Sequence, residues 1–287
     1  MSEAAGAANL EAAKILMRDT MNQRMKPRIA LPIPNSIDLA YSERAYPVYA
    51  QAITDAGGEP VPIPLTASQK EIADLINSCQ GVLLPGSPAD TNPQKYGAER
   101  EPECADSDPV RESVDELLLQ DAHNLHKPIL GICYGAQSLN VWRTGTLIQH
   151  VMPMPVNHPA GKRVPIAHTA VIAPDSLLGG IVAPVENQDA PGTPEATLEE
   201  NFLKLPVNSS HHQAIGIAGD GLRIVARCPQ DNVVEAVEGT APDHFVLGIQ
   251  WHPERSTGIS AVSRAIFDRF IQEAASWKPR TVSESVG

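Results

Sequence analysis

The chain has 287 residues, 42% of them hydrophobic, and a net charge of −12 from 34 acidic against 22 basic side chains. That length supplies a sizeable core, and the acidic balance without a Lys/Arg-rich stretch argues against nucleic acid as a partner. With no run of about 18 apolar residues, no signal-peptide pattern and no CxxC pairing, a membrane span, a zinc ribbon and a disulfide scaffold are set aside, and a cytoplasmic setting is expected.

Leu10, Ala13, Met17 and Met21 recur at near-helical spacing. They predict a helix packed on the domain body, with a homodimer contact as the alternative, and residues 1–26 are set apart as an N-terminal extension. Residues 28–31 read as the first strand. Over 47–56, Val48, Tyr49, Ala52, Ile53 and Ala56 share one helix face, and Gly57 stops it. The Ser68 to Glu71 capping box opens a helix carrying Ile72, Leu75 and Ile76. Residues 81–84 form a fully apolar strand. Asp108 and Pro109 start an amphipathic helix through Val110, Val114, Leu117, Leu118 and Leu125. Residues 128–132 are a second buried strand that runs directly into Cys133. Further strands are expected over 165–172, 222–228, 233–237 and 245–250, and a last helix over 259–277. The Pro-, Asp-, Glu- and Ala-rich stretch 183–206 reads as an inserted loop, and 278–287 as a disordered tail. The alternation predicts an α/β domain over 27–277 with a mostly parallel sheet.

Gly131-Ile132-Cys133-Tyr134-Gly135 has the spacing of a nucleophile elbow, in which a sharp strand-to-helix turn needs flanking residues without a β-carbon. The following helix points its N-terminus at the thiol, which favours thiolate. A lone buried cysteine is usually a small hydrophobe, the role assigned to Cys79 before a strand, Cys228 at the end of one, and Cys104 in an acidic loop. The flanking glycines and the strand–helix switch set Cys133 apart. A thiol nucleophile needs a base and the base an orienting group. Of nine histidines, His252 stands at the end of an apolar strand, with Glu254 two residues on and Pro253 stiffening the link.

With these residues in hand, Gly-Ile-Cys-Tyr-Gly-Ala-Gln-Ser-Leu-Asn and Gly-Ile-Gln-Trp-His-Pro-Glu resemble the motifs of the class I glutamine amidotransferases. Val207-Asn-Ser-Ser-His-His-Gln213, Leu83-Leu-Pro-Gly-Ser-Pro-Ala-Asp90, Tyr49-Ala-Gln-Ala-Ile-Thr-Asp-Ala-Gly-Gly58 and the helix bearing Arg111 resemble the gamma-glutamyl-gamma-aminobutyrate hydrolase branch, peptidase family C26. The resemblance covers residues 27 to 275 and implies a flavodoxin-like three-layer α/β/α fold and a Cys133–His252–Glu254 triad. It also implies an oxyanion hole from the backbone N–H groups of Tyr134 and of Gly86 or Ser87, and contacts from Gln137, Ser210 and His211 to the glutamyl end of the substrate. His211 and His212 read equally as structural histidines. Tyr134 stands where relatives often have Arg, Gly86-Ser87-Pro88 where they often have Gly-Gly, and the 183–206 insertion is long. The Tyr134 side chain is expected at the pocket mouth. The implied reaction is hydrolysis of a small gamma-glutamyl amide through a thioester, with no metal or cofactor required. The alternatives are a glutaminase subunit feeding ammonia to a separate synthase partner, and a non-enzymatic binding module on the same fold.

Overall fold

The computed structural model describes residues 26–185, 197–199 and 202–279. The helix expected within 10–25, much of the 183–206 insertion and the tail from 280 lie outside the described residues. The elements run β1 (Arg28–Pro32), α1 (Leu39–Asp55), β2 (Glu59–Ile63), α2 (Gln69–Asn77), β3 (Gly81–Leu84), α3 (Pro109–Leu125), β4 (Ile129–Ile132) and α4 (Tyr134–Trp142). There follow β5 (Leu147–Ile148), β6 (His168–Ile172), α5 (Leu177–Val182), β7 (Thr197–Glu199), β8 (Phe202–Val207), β9 (Ala214–Ile215), β10 (Leu222–Arg227), β11 (Val234–Gly239), β12 (Val246–Ile249) and α6 (Ala261–Ser276).

Ten of the strands form one sheet in the order β2-β1-β3-β4-β12-β11-β10-β6-β8-β7. The first five pair in parallel, and β11, β10, β6, β8 and β7 extend them as an antiparallel wing. Strand alternation sends successive side chains to opposite faces. Ile29 and Leu31 of β1 accordingly pack with α1, α5 and α6, while Ala30 packs with α2 and α3. Three layers result, as expected for a chain whose apolar strands alternate with amphipathic helices.

Several elements differ from the sequence reading. α1 begins eight residues before Pro47, at an N-cap made by the Asp38 carboxylate accepting from the Tyr41 N–H. Pro47 lies inside the helix, and Val48 is exposed while Ser42 and Ala45 join Tyr49, Ala52 and Ile53 on the buried face. β2 was not anticipated because Pro60 and Pro62 break a strand pattern; it tolerates them at the sheet edge. β8 occupies residues expected to be loop, where it pairs antiparallel with β6 across five residues. α3 buries Arg111, Glu112 and Asp115 and leaves Val110 and Leu117 exposed, the reverse of what polarity alone predicts. Among the described residues, no helix is long and apolar enough to cross a membrane.

Candidate active site

Four neighbouring parallel strands, β1, β3, β4 and β12, deliver their C-terminal loops to one place, which is where open α/β sheets build their sites. Cys133 follows β4 directly. Its φ of 53° and ψ of −109° fall where a residue with a β-carbon is strained. The turn is held by Cys133 N–H donating to the Ile249 carbonyl at 2.7 Å, and by the Cys133 carbonyl accepting from Ala136 and Gln137. The glycine spacing now has a steric cause. A β-carbon at Gly131 would lie 2.7 Å from the Gly135 carbonyl oxygen, and one at Gly135 would run into the Leu84 carbonyl of β3.

His252 enters from the end of β12, in the turn leading to Pro253–Arg255. Its Nδ1 lies 2.8 Å from Glu254 Oε1, which leaves Nε2 for the Cys133 thiol, its neighbour across Gly86. Burial opposes protonation of this ring, yet the carboxylate of Glu254 and the charge of Cys133 outweigh it and raise His252 to about 9. Burial pushes the Glu254 carboxyl up, but His252 and Arg255 bring it below the usual range. Cys133 is 7% exposed, His252 2% and Glu254 4%, so only a narrow window opens on the sulfur.

The expected oxyanion donors are arranged unevenly. Gly86 lies against the pair: a β-carbon there would be 3.2 Å from the His252 ring and 3.6 Å from the Cys133 β-carbon. Its N–H, however, donates to the Tyr49 hydroxyl at 3.1 Å. The Ser87 hydroxyl accepts from Asn35 and from the Ala89 N–H. No acceptor faces the N–H of Ser87 or Tyr134 among the described residues.

The Tyr134 side chain is not at the mouth. It is 1% exposed and stacks on Arg111, whose guanidinium carbon is 5.1 Å from the ring centroid. Arg111 is itself fully buried. It donates to Asp115 at 2.7 Å and to the carbonyls of Pro34 and Pro85 at 2.6 and 2.8 Å, tying together the loops after β1 and β3.

Gln137 is buried with its amide N–H groups committed to the Gln213 carbonyl and to Gln250 Oε1. Gln250 in turn reaches the Cys133 sulfur at 3.6 Å. Ser210 accepts from Arg255 at 2.8 Å. The His211 ring is buried, with Nδ1 2.9 Å from the Gln213 carbonyl; of its two readings, these surroundings support the structural one. Cys104 lies in a loop and is buried, as its assigned role requires, with its thiol donating to Gln149 Oε1 at 2.9 Å.

Sequence reasoning missed three supports. Asn208 clamps the His252 backbone from both sides, accepting from its N–H and donating to its carbonyl, each at 2.9 Å. Tyr49 braces the Gly86 loop. Gln250 sits inside the quoted Gly-Ile-Gln-Trp-His-Pro-Glu motif, and its place one step past the strand end was the available signal. At the rim, exposed Lys162 lies 4.8 Å over the Tyr41 ring. Burial and the like charges of Arg255 and Arg44 lower its pKa.

Comparison with known proteins matches the peptidase C26 family over residues 35–254. Gamma-glutamyl-gamma-aminobutyrate hydrolase PuuD of Escherichia coli (strain K12) is 31% identical over 233 residues, covering 78% of this chain and 83% of that protein. A glutamine amidotransferase-like protein of Rickettsia prowazekii (strain Madrid E) is 32% identical over 231 residues, covering 72% of this chain and 80% of its own. In fold, the glutaminase domain of Trypanosoma brucei CTPS with bound acivicin superposes with a TM-score of 0.55 at 15% identity, over 89% of this chain and 96% of that one.

Proposed function

The chain belongs to the peptidase C26 family, and from that premise we propose that it hydrolyses gamma-glutamyl amides with Cys133 as nucleophile, His252 as acid and base, and Glu254 as its orienting carboxylate. Relatives named as hydrolases support the reaction class. The observation that carries the reading is the positive-φ Cys133 at the start of α4, beside and electrostatically coupled to a histidine that is itself held by a buried glutamate.

The Cys133 sulfur attacks the gamma carbonyl carbon, forming a C–S bond. The carbonyl oxygen takes up negative charge, and the free N–H groups of Tyr134 and Ser87 are the donors suited to meet it, since Gly86 N–H is engaged by Tyr49. Protonated His252 passes its proton to the departing amine as the C–N bond breaks, leaving a thioester. Water, deprotonated by His252, then attacks that carbon and releases glutamate and the free thiol. Arg255 with Ser210, and Lys162 at the rim, supply the positive charge that suits the carboxylate of a glutamyl group.

The test is to incubate the purified chain alone with a panel of gamma-glutamyl amides, glutamine included, and assay free glutamate. Hydrolysis without added protein, absent in Cys133→Ala, is the expected result. Inertness until a synthase is supplied would move the assignment to an ammonia-delivering subunit, and inertness on every member would end it.

A further inference from the structure

A second cluster of chemistry-bearing side chains is buried beyond the His252 clamp, and the reaction above has no use for it. His158 comes from the loop before β6, His168 opens β6, His211 lies in the segment after β8, and Glu235 belongs to β11. Their side chains are 0%, 1%, 1% and 0% exposed. Around Glu235 Oε1 stand His158 Nδ1 at 3.4 Å, His168 Nε2 at 3.3 Å and His211 Nε2 at 3.8 Å. All four ligand-type atoms fall within 4.8 Å of one another. A tetrahedral ion with bonds of about 2.0–2.1 Å separates its ligand atoms by about 3.3–3.4 Å, so the spacing is nearly that of a formed coordination shell.

The placement of protons separates this cluster from an ordinary polar network. Each ring turns its outer nitrogen toward an acceptor: His158 Nε2 to Asp231 Oδ2 at 2.8 Å, His211 Nδ1 to the Gln213 carbonyl at 2.9 Å, and His168 Nδ1 to the Thr169 carbonyl at 3.4 Å. An acceptor on the outer side draws the single N–H of a neutral imidazole there and leaves its lone pair facing inward. The three inner nitrogens and both Glu235 oxygens find no partner of hydrogen-bond geometry among the described residues. Lone pairs facing a carboxylate away from water repel one another and are costly to bury. A cation at their centre turns the same arrangement into coordination, with the outer acceptors as the partners that orient metal-bound histidines. The competing group of His158, Cys228 and Asp231 offers only three residues. Two of those are already engaged, Cys228 with Gln230 and Asp231 with the Val233 N–H.

We propose that His158, His168, His211 and Glu235 bind one divalent transition-metal ion, zinc by the preference of an imidazole-rich, four-ligand, closed donor set. The two carboxylates at the cluster, Glu235 and Asp231, match in number the two positive charges of a divalent ion. The ion's role is positional. His211 shares its segment with Asn208, which clamps His252, and with Gln213, whose carbonyl receives Gln137. The Glu235 carbonyl also accepts from the Gln250 N–H at 2.8 Å.

The full chain, purified without a histidine tag and dialysed against EDTA, is assayed for metal by mass spectrometry. It is then stripped in denaturant with chelator and refolded with Co²⁺. Retention of one zinc per chain, and a cobalt visible spectrum of tetrahedral type without a thiolate charge-transfer band, are expected. His168→Gln and Glu235→Gln should each lose the metal, and His126→Gln should keep it. Failure of the wild-type chain to hold stoichiometric metal both as isolated and after refolding with Zn²⁺ or Co²⁺ would overturn the proposal. So would a thiolate band, or full metal retention in both cluster variants. The wild-type measurements decide the matter even if a variant does not fold.

Discussion

Proton traffic at the site turns on single residues. Protonated below about 9, His252 can donate to a leaving amine across neutral pH, and it loses that proton as pH rises through the value. The alkaline limb of kcat/KM on a gamma-glutamyl substrate should therefore lie near pH 9. Glu254→Gln removes the carboxylate that raises the ring, so the limb should move to lower pH; an unmoved limb would show that Glu254 does not set it. Cys133→Ala and His252→Ala should each cost at least about three orders of magnitude in kcat, because members of such a unit fail together. Thiol reactivity offers an independent check. Burial raises the pKa of Cys79, of Cys104 (with Asp90 adding to it) and of Cys228, the last to about 11. Substoichiometric iodoacetamide near neutral pH should alkylate Cys133 first, and peptide mapping that finds any other cysteine ahead of it would deny the elbow its activating role.

At the scale of elements, α3 is the support on which the elbow rests. Its N-cap Asp108 accepts from Ser36 as well as from the Arg111 N–H, and Arg111 then reaches the carbonyls behind β1 and β3. Arg111→Met would leave Asp115 as an unpaired buried charge, and about 3–5 kcal/mol of stability should be lost in urea unfolding. Tyr134→Phe removes a hydroxyl that has no hydrogen-bond partner among the described residues, so stability and turnover should change little. A large loss would place the phenol in contact with something the fold does not show. These elements also mark what the sequence could convey. Cys133, His252 and Glu254 sit in contiguous motifs whose strand and turn context is local, and so they could be read directly. Arg111, Asn208 and Tyr49 act on the site from 22 to 84 positions away from Cys133 in the chain, through contacts that exist only after the sheet has assembled. β8 was hidden partly in the same way: the partner that joins it to the body of the sheet, β6, lies 30 or more residues upstream, and its local hairpin partner β7 is only three residues long, in a stretch diluted by Pro, Asp and Glu.

Across the whole molecule, the two halves of the sheet divide the labour. The parallel half aims its loops at the reacting sulfur, and the antiparallel wing carries the histidine cluster and the segment that clamps His252. The outer borders of the sheet have their own consequence. Glu59 N–H turns inward to the Pro27 carbonyl, so alternation puts the nitrogens of residues 60 and 62 on the free side of β2, and both are prolines. At the other border, β7 is three residues long. An unfinished border normally offers a row of N–H donors to which any passing extended chain can bind. This one has had its donors removed at alternate positions. Crowded refolding of the wild-type chain should therefore proceed without β2 recruiting a neighbour, whereas Pro60→Thr with Pro62→Thr should raise light scattering during refolding while leaving catalysis in the folded fraction intact. The prolines that hid a strand from the reader of the sequence would also be hiding it from other polypeptides.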